Sequence, residues 1–227
     1  MHPRFSEEAP GRLIHALALA CLLSSTFIVL FGGVQVALGA PENVFEAPFG
    51  TFLLFYLAAL VLRVGLVVGV GLRWFGRIRL HEVGWRTEGL RQNLLLGLAG
   101  GFAATLLVSL VVWIQADFEG EDLLETFRGF SWEQRAMFLL IGLEAAFTEE
   151  TLFRGYLQPA LMRRLGALGG LTCTALLFSL YHLQPRPLAL GLKFVLGLQF
   201  GSLRGRDRSL LTSFTAHVLL WTLVGSM

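Results

Sequence analysis

Apolar residues in this chain run in long, nearly unbroken stretches. They show neither the alternation of a half-buried strand nor the narrow stripe of an amphipathic surface helix. The stretches lie at 13–38, 49–72, 93–114, from about 135 onward, 168–183, 188–203 and 210–224. A membrane-crossing helix needs about 20 apolar residues. The pattern therefore predicts an all-α, polytopic membrane protein of about seven transmembrane helices, forming one transmembrane domain over 1–227. The fifth and sixth stretches are shorter than a full crossing, which leaves room for bends or re-entrant depth. The first is too long for a signal-peptide core, and Glu7 and Glu8 spoil a basic leader, so it reads as a retained helix.

Composition sharpens this picture. Of 227 residues, 55% are apolar and 15% charged, whereas a soluble domain carries about a quarter charged residues. The mean hydropathy is +0.66. The charges gather between the stretches, and the basic ones gather in alternate loops. Arg4 and Arg12 precede the first stretch, and Arg73, Arg77, Arg79, Arg86 and Arg91 follow the second. Arg163 and Arg164 follow the fourth, and Arg204, Arg206 and Arg208 follow the sixth. Segment 117–133, by contrast, holds six acids against Arg128. This alternation places the N-terminus on the cytoplasmic side. Cys21 and Cys173 lie inside apolar stretches and read as packing residues, not as a disulfide or a thiolate metal site. No nucleic-acid-binding motif is visible.

The chemistry is where the apolar pattern is broken. Glu149 and Glu150 stand side by side in the fourth stretch. Carboxylates at bilayer depth cost several kcal/mol unless they are paired, protonated or facing a wet cavity. Glu150 and Arg154, four apart, share a helical face and can pair. On the face of Glu149 lie Ala146, Ala145 and Gly142, a small-residue stripe that admits a close helix neighbour. Read alone, the pair is either a packing device or part of a site.

Two histidines add to it. His182 ends the fifth stretch and His217 lies within the seventh. Gly166 marks a turn between the fourth and fifth helices. Glu149 is seventeen residues before it and His182 sixteen after it, so an antiparallel hairpin brings them to one depth. A lone histidine at a helix end is usually a packing residue, but one level with a buried carboxylate is harder to dismiss. One glutamate and two histidines hold zinc or activate water. The candidate metal ligands are Glu149, His182 and His217, with zinc as the candidate ion. The His-Glu-x-x-His signature of soluble zinc proteases is absent, so such a site must be assembled from three helices.

Glu149-Glu150-x-x-x-Arg154, Phe178-x-x-x-His182 and His217 in the last helix together resemble the motifs of the CPBP family, the CAAX-protease and bacteriocin-processing group also called Abi or Rce1-like. The flanking run Glu149-Glu-Thr-Leu-Phe-Arg-Gly-Tyr-Leu-Gln158 is similar to that family's first motif, and the resemblance covers 135–224. It implies an intramembrane endopeptidase of the metalloprotease-like kind, in a bacterial plasma membrane. Its substrate would be a membrane-associated peptide or protein. The resemblance implies that Glu149 and His182 activate the attacking water, that His217 stabilises the oxyanion and that Glu150 and Arg154 form a supporting pair.

The chain departs from the family at one place. The third motif carries an asparagine four residues after its histidine, and here Trp221 stands there. Losing an oxyanion donor costs on the order of a hundredfold in rate. The alternative to a protease is therefore a weak or silent relative acting as a membrane binding, immunity or assembly factor. A proton-coupled transporter would also bury carboxylates, but the stretches show no paired halves. His15, Arg63 and Lys193 read as structural or snorkelling residues. Glu144 either lines the cavity or pairs with one of them. Gly197, Gly201 and Gly205, four apart, read as a close-packing face, with a substrate groove beside it as the second possibility.

Overall fold

The computed structural model describes residues 48–119, 130–183, 186–205 and 209–224. The expected first helix, with His15 and Cys21, lies outside these residues, as does most of segment 117–133. Among the described residues the secondary structure is all helical, with no strand. Helix α1 spans Phe49–Val64 and runs on as a π-helical stretch, Gly65–Gly76. The short α2 is Leu80–Val83, and α3 is Leu90–Glu119. Helix α4, Trp132–Glu149, continues as a second π-helical stretch, Glu150–Leu157. Then come α5, Gln158–Tyr181, α6, Pro187–Arg204, and α7, Leu210–Val224.

Two helices are long and apolar enough to cross a membrane, Phe49–Trp74 with mean hydropathy 2.4 and Leu90–Gln115 with 2.3; Leu210–Leu223 is apolar but shorter. The expected count of seven crossings is thus matched by two among the described residues. The α4 region shows the reason. Glu144, Glu149, Glu150 and Arg154 interrupt it, so its polar interior spoils the composition that marks a lipid-facing span.

The helix ends follow from local chemistry. Helix α4 begins earlier than the apolar pattern indicates, because Ser131 and Gln134 form a capping box. Ser131 Oγ accepts from Gln134 N at 3.3 Å, and Gln134 Oε1 accepts from Ser131 N at 2.9 Å. Within α5 the helix is broken at Gly166, where φ 74 and ψ 174 suit only glycine. Residues 158–165 extend the fourth helix and 167–181 run back along it. Phe153 meets Phe178 at 5.3 Å and Tyr181 at 5.3 Å across this hairpin.

Three apolar clusters hold the bundle. Val67, Leu72, Val83, Phe153, Leu157, Phe178 and Leu210 tie the hairpin to α1, α2 and the start of α7. Ala104, Val108, Leu196, Phe200, Ala216 and Leu220 join α3, α6 and α7. Phe52, Met137 and Ile141 join α1 to α4, with Trp221 packed against them. Loop residues 84–86 are knitted to the head of α7, where Ser209 Oγ donates to the Arg86 carbonyl at 2.6 Å and Leu210 N donates to the Gly84 carbonyl at 2.8 Å. These contacts fix α7, and with it His217, against α3 and α4.

Candidate active site

The small-residue stripe of α4 does what its composition indicates. A methyl at Gly142 would lie 2.5 Å from Trp221 Cβ, so only glycine lets α7 come this close. That approach carries His217 to the two glutamates. Its Nδ1 lies 3.1 Å from Glu150 Oε1, and its Nε2 lies 3.9 Å from Glu149 Oε2. Adjacent residues on a helix point about 100° apart, yet both reach one imidazole here. The winding changes to π at this point, and π turns inside α-helices recur at functional sites.

The hairpin brings His182 to the same point. Its Nε2 lies 4.0 Å from Glu149 Oε2. The helix stops there because Leu183 takes a left-handed conformation, φ 51, which costs a leucine about 1–2 kcal/mol. His182 Nδ1 lies 2.7 Å from the Phe178 carbonyl. A carbonyl only accepts, so Nδ1 holds the proton and Nε2 offers its lone pair toward Glu149. The spacing Phe178-x-x-x-His182 is thus an i, i−4 contact that sets the tautomer. Glu149 Oε2 is buried and has no hydrogen-bond partner. A buried carboxylate oxygen facing two imidazole nitrogens without a partner is a place for a small polar species.

The supporting pair is fully enclosed. Arg154 Nη1 lies 3.2 Å from Glu150 Oε1, with both side chains at 0% exposure. Arg154 Nη2 donates to the Gly197 carbonyl at 3.2 Å. Gln158, one turn on, donates to the Gly201 carbonyl at 3.0 Å. Gly197 and Gly201 therefore serve as acceptors, while Gly205 ends α6. The face of Gly197 is filled by Ala175 of α5, the close helix packing expected there. The Arg154 guanidinium also lies over the Phe178 ring at 4.2 Å, and Phe178 in turn contacts both imidazoles. Phe200 stacks on His217 at 4.8 Å.

All five residues singled out from the sequence thus meet around one point: Glu149, Glu150, Arg154, His182 and His217. Of the two roles expected for Arg63, structural or snorkelling, it takes the structural one. It does not snorkel; it is 2% exposed and donates to Glu144 Oε2 at 2.9 Å and to Tyr181 Oη at 3.0 Å. Glu144 accordingly pairs with Arg63. The sequence offered a signal, an arginine and an acid both deep in apolar stretches, but no spacing that joins them. Trp85, Nε1 donating to Thr151 Oγ1 at 2.9 Å, was also not foreseen.

Glu149, His182 and His217 are donor types that zinc accepts. Two ligands on a tetrahedral zinc stand about 3.3 Å apart, given bonds of ~2.0–2.1 Å. The separations here are 3.9 and 4.0 Å, and no group of three such side chains among the described residues is closed enough to hold a metal ion. The residues as placed do not fit the ion.

Residues 131–223 match the family model described as Type II CAAX prenyl endopeptidase Rce1-like. The segment is similar to an Rce1-like domain. Its bounds fall close to the 135–224 expected from the motifs, and it contains all five site residues. An Rce1-like domain is that of a membrane-embedded protease acting on a peptide or protein. No curated protein and no solved structure matches the chain.

Proposed function

We propose that the Rce1-like domain hydrolyses a peptide bond of a membrane-associated peptide or protein with a water activated by Glu149 and His182. The observation that supports this most is the convergence of Glu149 Oε2, His182 Nε2 and His217 Nε2 from three helices. A water about 2.8 Å from Oε2 and from one Nε2 bridges a gap of this width at an angle of about 90°, close to its natural geometry. A zinc ion needs the groups closer. In this reading the reaction runs through the side chains and water.

Glu149 takes a proton from the water, while His182 Nε2 accepts the other hydrogen and aims the oxygen. The oxygen bonds to the peptide carbonyl carbon, and the π pair moves onto the carbonyl oxygen. His217, held with Nδ1 3.1 Å from Glu150 Oε1, donates Nε2–H to that oxyanion. The proton on Glu149 then passes to the amide nitrogen, the C–N bond breaks, and an acid and an amine leave. General-base help of this kind supplies about 10²–10⁴ in rate. Enclosure by Phe178, Phe200 and the hairpin strengthens each polar contact by excluding water. His182, with 16% of its side chain exposed, is the most open of the polar groups and marks the side of entry. The test is cleavage of a tethered peptide by the reconstituted protein, with Glu149→Gln as the blank. Equal cleavage by the blank removes Glu149 from the mechanism.

One observation favours a second reading. Trp221 packs into the Phe52–Met137–Ile141 cluster and brings no amide to the oxyanion position. A silent relative that binds a membrane peptide without cutting it has no need of that donor.

A further inference from the structure

Resting on the hydrolytic reading above, we propose that Arg63, which lies outside the Rce1-like domain, is a positioning residue for the Glu149 carboxylate. A glutamate carboxylate rotates easily about its last torsion, which has broad minima. For Oε2 to face both imidazoles, something must hold Oε1. Arg63 Nη2 is 3.8 Å from Oε1, while Oε2 faces His182 and His217 at 4.0 and 3.9 Å. The two oxygens of one carboxylate are thus divided between a cation on one side and the reacting site on the other.

Arg63 is itself held firmly. Nη1 donates to Glu144 at 2.9 Å and Nη2 to Tyr181 Oη at 3.0 Å. A planar fork with fixed donors can make these two hydrogen bonds and still face Glu149 Oε1 with its charge at 3.8 Å, an orientation an ammonium does not fix. Tyr181 is also the ring against His182, with centroids 5.2 Å apart. Arg63 therefore touches the surroundings of both members of the water-activating pair. Arg154, the other guanidinium of the site, is engaged by Glu150 and the Gly197 carbonyl. A carboxylate as buried as Glu149, 5% exposed, needs a nearby cation, and Arg63 supplies it from α1. The reacting unit thus extends beyond residues 131–223.

The test uses full-length protein and the tethered-peptide assay. Wild-type cleavage that disappears in Glu149→Gln establishes the underlying reading on its own. Arg63→Gln/Glu144→Gln removes the cation together with its hydrogen-bonded carboxylate at Glu144, and leaves Glu149 without the Arg63 charge. It is expected to keep its melting temperature within a few degrees, to keep KM within twofold, and to lose at least thirtyfold in kcat. A purely structural Arg63 predicts kcat within threefold at that same melting temperature, and this result overturns the proposal. If the double variant does not fold, Arg63→Lys decides. It keeps the charge but not the fork, and a tenfold loss in kcat at unchanged KM is expected. An unchanged kcat in Arg63→Lys overturns the proposal equally.

Discussion

Glu149 and His182 stand on opposite arms of one helical hairpin, with Oε2 and Nε2 4.0 Å apart, seventeen residues before and sixteen after the Gly166 turn. The turn sets the register, and the register sets the pair. His217 reaches the same carboxylate oxygen only because α7 lies against the glycine of α4. The site is a product of helix packing more than of any local motif.

That dependence makes Gly142→Ala informative. The new methyl meets Trp221 Cβ at 2.5 Å. Overpacking of this kind costs about 1–3 kcal/mol, and a shift of about 1 Å in a reacting group costs up to 10²-fold. We expect kcat to fall at least tenfold although no polar group is altered. Steady-state kinetics beside a thermal melt checks this.

The Glu150–Arg154 pair is expected to behave asymmetrically. Removing one partner leaves a buried charge alone, at about 3–5 kcal/mol, whereas replacing both with apolar residues is often close to neutral. Glu150→Leu and Arg154→Met should each melt well below the wild type, and the double variant should recover most of the loss. All three should cleave poorly, because His217 Nδ1 loses its partner at Glu150 or that partner loses its own support.

Much of this was legible in the sequence, and for definite reasons. The hairpin was readable because Gly166 interrupts an apolar run and the distances to Glu149 and His182 match. The Glu150–Arg154 pair was readable because i, i+4 contacts are local. The 210–224 helix was bounded correctly because polar residues flank it. Arg63 was not readable. Its partners Glu144 and Tyr181 are 81 and 118 residues away, and only the packing of α1 on α4 and α5 brings them together. The π winding at Glu150–Leu157 also left no sign in the apolar pattern, since every one of its residues is buried.

Trp221→Asn separates the protease from the binding factor. Its indole fills part of an apolar cluster, so the smaller side chain should cost about 2–4 kcal/mol in stability. If Trp221 has merely weakened a protease, the added donor should raise kcat by about tenfold or more. No gain, with peptide binding intact, favours the binding factor. Cleavage kinetics and peptide binding on the same preparation read out both.

Separations of 3.9 and 4.0 Å also bear on metal dependence. Treatment with a zinc chelator, followed by elemental analysis, should leave turnover within twofold of the untreated protein. Loss of turnover that added zinc restores would show that the three side chains close on an ion.

The most direct measurement is a double-mutant cycle on kcat with Glu149→Gln and His182→Ala. Residues that act on one water are strongly non-additive. Each single variant should lose about 10²–10⁴ in kcat, and the double variant should fall no further than the worse single. Losses that multiply, or a Glu149→Gln variant that cleaves at the wild-type rate, contradict a shared water between these two side chains.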